Sequence, residues 1–120
     1  MMSTVEKETI AEKSAKKWLN LIDRAEYRES WLEAAAYFQN NVTRQEWQRT
    51  IEGVRQPLGN LLFREVASIQ YATTLPGSPD GEYVVIQYNT SFENKELAVE
   101  TVTPMLERDG EWKAAGYYIK

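Results

Sequence analysis

The chain has 120 residues, of which 42% are hydrophobic and 12% aromatic, and it carries a formal net charge of −4. These values fit a single domain with one packed core and exclude a mainly disordered chain. The acidic balance, with basic residues interspersed among acidic ones, argues against a nucleic-acid partner.

The sequence contains no cysteine and no histidine. It therefore has no thiolate nucleophile, no disulfide and no imidazole base or metal ligand. Any acid–base chemistry falls to Asp, Glu, Lys and Tyr, and we expect no cofactor and no metal. A carboxylate site formed by Asp80 and Glu82 stays open, although neighbouring surface acids are usually only solvated.

No apolar run approaches the ~20 residues that a membrane-spanning helix needs. Residues 1–17 are charged throughout and lack the apolar stretch of a leader. We therefore expect a soluble protein without a membrane span, cytoplasmic as the sequence is given. It would be periplasmic if a leader had been replaced by a start codon, which the doubled Met1-Met2 leaves open.

The first half of the chain predicts three amphipathic helices. In each of them apolar residues recur at spacings of three and four, which places them on one helix face. The three faces are Ile10, Ala11, Ala15, Trp18, Leu21 and Ile22; Tyr27, Trp31, Ala34, Ala35 and Phe38; and Trp47, Ile51 and Val54. Residues 1–8, ahead of the first face, are expected to fray.

Capping and stop signals predict where these helices begin and end. Asp23 with Glu26, and Thr43 with Glu46, have the spacing of a capping box, which predicts the starts of the second and third helices. The pair of asparagines at 40–41 predicts the end of the second helix.

After Gly59 the pattern changes to four strands, predicted over residues 61–74, 83–92, 97–106 and 112–119. Residues 76–81 and the Asp109-Gly110 pair predict the turns between them, and short turns favour an antiparallel meander. Three helices followed by such a sheet indicate an α+β domain spanning residues 1–120, with the helices packed on one face of a curved four-stranded sheet.

The third predicted strand is apolar on both faces. Leu97, Val99 and Met105 lie on one face, and Ala98, Val102 and Leu106 lie on the other. A strand buried on both sides fits a central strand whose second face is covered as well. We therefore expect a homodimer that pairs through the outer face of the sheet.

Several segments carry a family resemblance in the same order along the chain. They are residues 18–23, 27–31, 54–59, 75–83, 100–103, 109–112 and 116–119. Together with the architecture, they resemble the bacterial family called domain of unknown function 4019, within the nuclear-transport-factor-2-like (cystatin-like) superfamily. One departure is Ala25, where the family pattern has Gly in the helix–helix turn. The resemblance implies a cone-shaped α+β fold but no settled activity, and many members look exported.

Glu100 is the most suggestive candidate for a catalytic residue. Strand alternation places it on the same face as Ala98 and Val102, so it is a carboxylate in apolar surroundings, and burial would suit it to acid–base work. The favoured alternative is a structural ion pair with Arg55 or Arg64, because a buried charge needs a partner.

Asp23 also has two interpretations. Enzymes of the resembled superfamily, such as ketosteroid isomerases, move protons with Asp and Tyr and without His. The capping-box spacing already explains an acid at this position, so capping is favoured.

The aromatic residues offer a candidate ligand site. Tyr and Trp place their polar tips on a partner, and in a cone-shaped fold these tips often point into the central cavity. We predict that Trp31, Tyr88 and Tyr118, with Glu100, line such a cavity. Gln87 and Asn89 are expected on the outer surface of the sheet or in a dimer contact.

Three functional hypotheses follow. The first is a non-enzymatic homodimeric domain that binds a small apolar ligand or a protein. The second is a His-free isomerase, cyclase or dehydratase that uses Glu100 and a Tyr donor. The third is an exported envelope domain that mediates protein contacts.

Overall fold

The computed structural model describes residues 1–120 and places four helices before four strands. The helices are α1 (Thr4–Asp23), α2 (Tyr27–Leu32), α3 (Ala36–Asn41) and α4 (Arg44–Leu58), and the strands are β1 (Leu61–Ala72), β2 (Tyr83–Phe92), β3 (Lys95–Leu106) and β4 (Trp112–Ile119). This order confirms the α+β class. None of the helices combines the length and the apolar character that crossing a membrane requires.

The sheet is the antiparallel meander that the turns predict, with the strand order β1-β2-β3-β4. Helix α1 contacts all four strands and covers the inner face of the sheet. On β3 this inner face carries Ala98, Glu100 and Val102, all of them buried. The core therefore lies between α1 and the sheet, and Glu100 lies in its floor.

The second predicted helix is two short helices, α2 and α3, separated by a break at residues 33–35. Ala35 is extended there, with φ −63° and ψ 151°, and its N–H donates to the carbonyl of Ala114 on β4 at 2.8 Å. Ala34 and Ala35 are 3% and 0% exposed. The small alanine side chains let this segment approach the edge of the sheet, and the bond to β4 replaces a helical bond. The periodic pattern does not report such a long-range contact.

The two predicted capping boxes have different outcomes. Thr43 and Glu46 form the predicted box at the start of α4, with both reciprocal hydrogen bonds present. The Asp23–Glu26 box is wrong, because Glu26 is the N-cap of α2 and no side chain caps that helix. Asp23 instead ends α1, and its carboxylate binds two arginines.

The N-terminus is ordered further than the expected fraying of residues 1–8 suggests. Ser3 and Glu6 form a capping box, so α1 begins at Thr4. Lys7 pairs with Glu82 at 2.6 Å, and the Glu8 carboxylate accepts the N–H of Tyr71. These bonds attach the first turns of α1 to the sheet.

Ala25 occupies the turn between α1 and α2 with a φ of 60°. A left-handed conformation costs an L-residue roughly 1–2 kcal/mol, whereas glycine adopts it freely but loses about 0.5–1 kcal/mol of backbone entropy on folding. We expect Ala25→Gly to raise the free energy of unfolding by about 0.5–1 kcal/mol in urea denaturation. Ala36→Gly, at an exposed helical position, is the control and is expected to give no gain. A loss of stability in Ala25→Gly would contradict the strain argument.

Candidate functional site

A largely buried arginine, Arg64 of β1 with a side chain 10% exposed, lies at the centre of the main polar cluster. Its Nε and Nη2 donate to Glu100 at 2.7 and 3.1 Å, and its Nη1 and Nη2 donate to Asp23 at 2.7 and 3.0 Å. Glu100 therefore binds the Nε–Nη2 edge of the guanidinium, and Asp23 binds its Nη1–Nη2 edge. Both ion pairs are bidentate, and bidentate arginine–carboxylate pairs are among the strongest hydrogen-bonded pairs in proteins. One cation links β3 to the end of α1.

The carboxylate of Glu100 is fully occupied by protein donors. Its Oε1 accepts from Arg64 and from the hydroxyl of Thr90 at 2.7 Å, and its Oε2 accepts from Arg64 and from the phenol of Tyr117 at 2.5 Å. An ionised carboxylate accepts about four hydrogen bonds, so no acceptor position is left for a substrate. The side chain is 0% exposed. This arrangement holds Glu100 as a structural anion.

Strand register brings these donors together. Arg64 lies opposite Thr90 in the β1–β2 ladder, and Tyr117 lies opposite Val102, the next inner-face residue after Glu100, in the β3–β4 ladder. Each of the four strands therefore contributes one side chain to the network around Glu100. Sequence alternation placed Glu100 on this face, but identifying Thr90 and Tyr117 as its partners required the register.

Arg55 joins the same network from the last turn of α4. Its Nη2 donates to Asp23 at 2.9 Å, and its guanidinium carbon lies 4.7 Å from the ring centre of Phe92. The predicted Arg55–Glu100 pair is not a direct contact, because Glu100 pairs with Arg64 and Arg55 pairs with Asp23. Arg64 lies on the same inner face of the sheet as Glu100 and reaches it across β2. Arg55 comes from α4 and contacts Asp23 at the end of α1.

The predicted ligand residues do not line one cavity. Trp31 is half-buried, and its Nε1 donates to the carbonyl of Val42 at 2.8 Å. Tyr88 is 2% exposed, and its phenol donates to Glu12 on α1 at 2.9 Å. Tyr118 is 53% exposed on the outer face of the sheet, opposite Thr101. Only Tyr88 and Glu100 are neighbours, as directly opposed residues of β2 and β3.

Glu82, a possible metal ligand together with Asp80, already binds two other side chains of the protein. Its carboxylate accepts from Lys7 at 2.6 Å and from the phenol of Tyr71 at 2.7 Å. No group of three or more acidic side chains is arranged to hold a metal ion.

Glu100 lines neither of the two main concavities of the surface. A groove of about 1030 Å³ runs between α1, α2 and the start of β4. A smaller depression of about 420 Å³ lies on the outer face of the sheet, lined by residues of β1, β2 and β3. Of the network residues, Thr90 alone borders one of these two concavities, the depression on the outer face.

Two phenols of the inner face resist ionisation. Burial raises the pKa of Tyr88 and of Tyr117, and the adjacent carboxylates of Glu12 and Glu100 raise each pKa further. Above pH ~10 the unfolded chain releases these protons while the folded chain keeps them. The free energy of unfolding is therefore unaffected below that pH and falls as the pH rises above it.

Alkaline titration should show this coupling. We expect the phenolate absorbance of Tyr88 and Tyr117 to appear only as near-ultraviolet circular dichroism is lost, and Tyr117→Phe to remove part of that step. Titration in denaturant is the control, in which all seven tyrosines ionise in one range. Ionisation of all seven while the fold persists would contradict the prediction.

The comparisons with known proteins identify a family but no relative of known activity. The chain matches the model of a protein family of unknown function, DUF4019, over residues 14–117. No curated protein and no solved structure matches it. The matched range begins within α1 and ends within β4, so it includes Asp23, Arg55, Arg64 and Glu100. The chain therefore belongs to the DUF4019 family.

Proposed function

We propose that this protein is a non-enzymatic binding domain that pairs with a second copy of itself through the outer face of its sheet. The observation that carries the proposal is the depletion of charge on that face. Charged residues make up 27% of the chain. Between positions 85–91 of β2 and 97–105 of β3, the outward-facing residues are all uncharged: Val85, Gln87, Asn89, Ser91, Leu97, Val99, Thr101, Thr103 and Met105.

Large apolar side chains accompany this loss of charge. Leu97, Phe63 and Tyr118 are 85%, 56% and 53% exposed, and they lie on three different strands. Interface cores are depleted in charge and enriched in Phe, Tyr and Met relative to other surfaces. An apolar face that spans several strands is typical of a contact surface, whereas isolated exposed apolar residues are not.

The charge distribution favours a second copy as the partner. Two chains with a net charge of −4 repel one another where their acidic residues face each other. On the outer face the charges lie at the margins, with Glu65 on β1, Glu96 at the start of β3 and Lys113 on β4. Two such faces can therefore meet without opposing like charges at the centre, and a two-fold axis brings each patch onto its equivalent.

The buried network supports a non-enzymatic role. An isomerase or dehydratase that used Glu100 would need this carboxylate beside a cavity with an acceptor position free. Glu100 instead accepts four protein hydrogen bonds at 0% exposure. We interpret the network as a structural link that holds α1, α4 and the sheet together and keeps the outer face rigid.

Sedimentation velocity and light scattering test this proposal. We expect the wild-type chain to be a dimer at micromolar concentrations and Leu97→Glu to be a monomer, because the substitution places a charge at the most exposed apolar side chain of this face. Val5→Glu is the matched control, since Val5 is 68% exposed on α1 and away from the sheet, and it should remain a dimer. A wild-type monomer at high micromolar concentration would overturn the proposal.

A further inference from the structure

We infer that the two copies of the proposed dimer are related by a two-fold axis parallel to their strands, so that Lys120 of the partner subunit lies over Glu65 at the margin of the outer-face depression. The inference rests on the proposed function, because it concerns the same face of the sheet. It adds the orientation of the two copies and the residue that each one contributes to the depression of the other.

The depression on the outer face has an unbalanced charge. It has a volume of about 420 Å³ and includes Phe63, Asn89 and Val99 from three strands. The two charged residues that line it are both acids, Glu65 and Glu96, and neither takes part in an ion pair within the chain. A contact surface of this kind favours a partner that presents a basic side chain at the matching place.

Strand register places a base at the opposite margin of the row that contains Glu65. Glu65 lies opposite Asn89, which lies opposite Val99. Val99 in turn exchanges two backbone hydrogen bonds, of 2.9 and 3.1 Å, with Lys120 directly after β4. Glu65 and Lys120 are both exposed. Three inter-strand spacings separate their backbones by ~14 Å, which is too far for the two charges to pair within one chain.

The other end of the face carries a second base on the same margin. Lys113 lies opposite Met105 on β3, six residues or ~20 Å along the strand from Val99. The same row ends on β1 at Ala72, which is neutral. The β4 margin is therefore basic at both ends, whereas the β1 margin carries an acid at one end only.

These charges distinguish two ways in which the faces can meet with aligned strands. A two-fold axis parallel to the strands places β1 over the partner's β4 with the rows in register, so Glu65 faces the partner's Lys120. An axis perpendicular to the strands places each margin over its own copy with the rows reversed, so Lys113 faces the partner's Lys120. The first arrangement pairs opposite charges twice, whereas the second opposes like charges.

Charge reversals followed by sedimentation velocity test the orientation. Glu65→Lys and Lys120→Glu should each raise the dissociation constant of the dimer about tenfold, because each opposes like charges at two symmetric contacts. The double variant, Glu65→Lys with Lys120→Glu, should return it to within about threefold of wild type. Glu96→Lys is the matched control on the same depression. Since Glu96 lies on β3, away from the contact with Lys120, adding Lys120→Glu should not rescue it.

Lys113→Glu controls for net charge and reports on the alternative orientation. It changes the net charge of the chain as Lys120→Glu does, but with the axis parallel to the strands it faces the neutral end of its row. We therefore expect the dissociation constant to stay within about threefold of wild type. With the axis perpendicular to the strands, the same substitution would remove a repulsion and tighten the dimer.

Cross-linking gives an independent measurement, because the chain has no cysteine of its own. A mixture of Glu65→Cys and Lys120→Cys that has exchanged subunits should form a covalent dimer with a short bismaleimide, and Glu65→Cys alone should not. A wild-type dimer that shows no rescue in the double variant, no cross-link in the mixture, or a tighter association in Lys113→Glu would overturn this orientation and leave the proposed dimer standing. A wild-type monomer would overturn both.

Discussion

Replacing Arg64 with methionine is expected to lower the free energy of unfolding by about 3–5 kcal/mol, because it leaves the buried carboxylate of Glu100 without a cation, whereas Asp23 keeps Arg55. Glu100 is 0% exposed and has no other charged partner, and the side chain of Asp23 is 14% exposed. Thr90 and Tyr117 still donate to Glu100, but two neutral hydrogen bonds do not replace a bidentate guanidinium. A loss this large would be a substantial part of the total stability of a domain.

Urea denaturation followed by tryptophan fluorescence measures this loss. Arg24→Met is the matched control, since the Arg24–Glu26 pair has side chains 64% and 45% exposed and should contribute less than about 1 kcal/mol. Arg64→Lys keeps the charge but cannot bind two carboxylates in bidentate fashion, so we expect an intermediate loss. If Arg64→Met cost no more than Arg24→Met, the network would not hold the fold together.

Replacing Trp47 with alanine is expected to cost about 3–5 kcal/mol as well, by a different mechanism. Trp47 is 5% exposed and stacks on Trp18 with ring centres 5.8 Å apart. Its Nε1 donates to the hydroxyl of Ser30 at 2.8 Å, and Trp18 donates to the Ser30 carbonyl at 2.7 Å. The alanine variant leaves a cavity and removes one partner of a buried serine.

Trp47→Phe distinguishes the two contributions. It keeps most of the ring packing against Trp18 and Phe38 but removes the Nε1 donor, so we expect a loss of about 1–2 kcal/mol. Both variants are compared with wild type by thermal and urea unfolding. Equal losses in the alanine and phenylalanine variants would show that the hydrogen bond to Ser30, and not the packing, dominates at this position.

The sequence determined the order of the elements, helices followed by four strands, although the second predicted helix is two helices. The helical spacing of Trp18, Trp47 and Ile51 and the capping box at Thr43 are local patterns, and each is confirmed. Strand alternation also placed Glu100 on the buried face, because side chains alternate regardless of which strand lies next to them. Turn residues between the strands determined the meander.

Only the tertiary structure decided how these elements meet. The pairing of Glu100 with Arg64 depends on strand register, and the break at Ala35 depends on a hydrogen bond to Ala114 on the edge of the sheet. At Asp23 the local sequence pattern predicted a helix cap, but the carboxylate binds Arg55 and Arg64 instead. A carboxylate held by two buried guanidinium groups is stabilised more than one that caps an exposed helix start, so packing overrode the local pattern. Partners distant in sequence leave no periodic signal, so the sequence offered Arg55 or Arg64 as the partner of Glu100 and only the fold decided for Arg64.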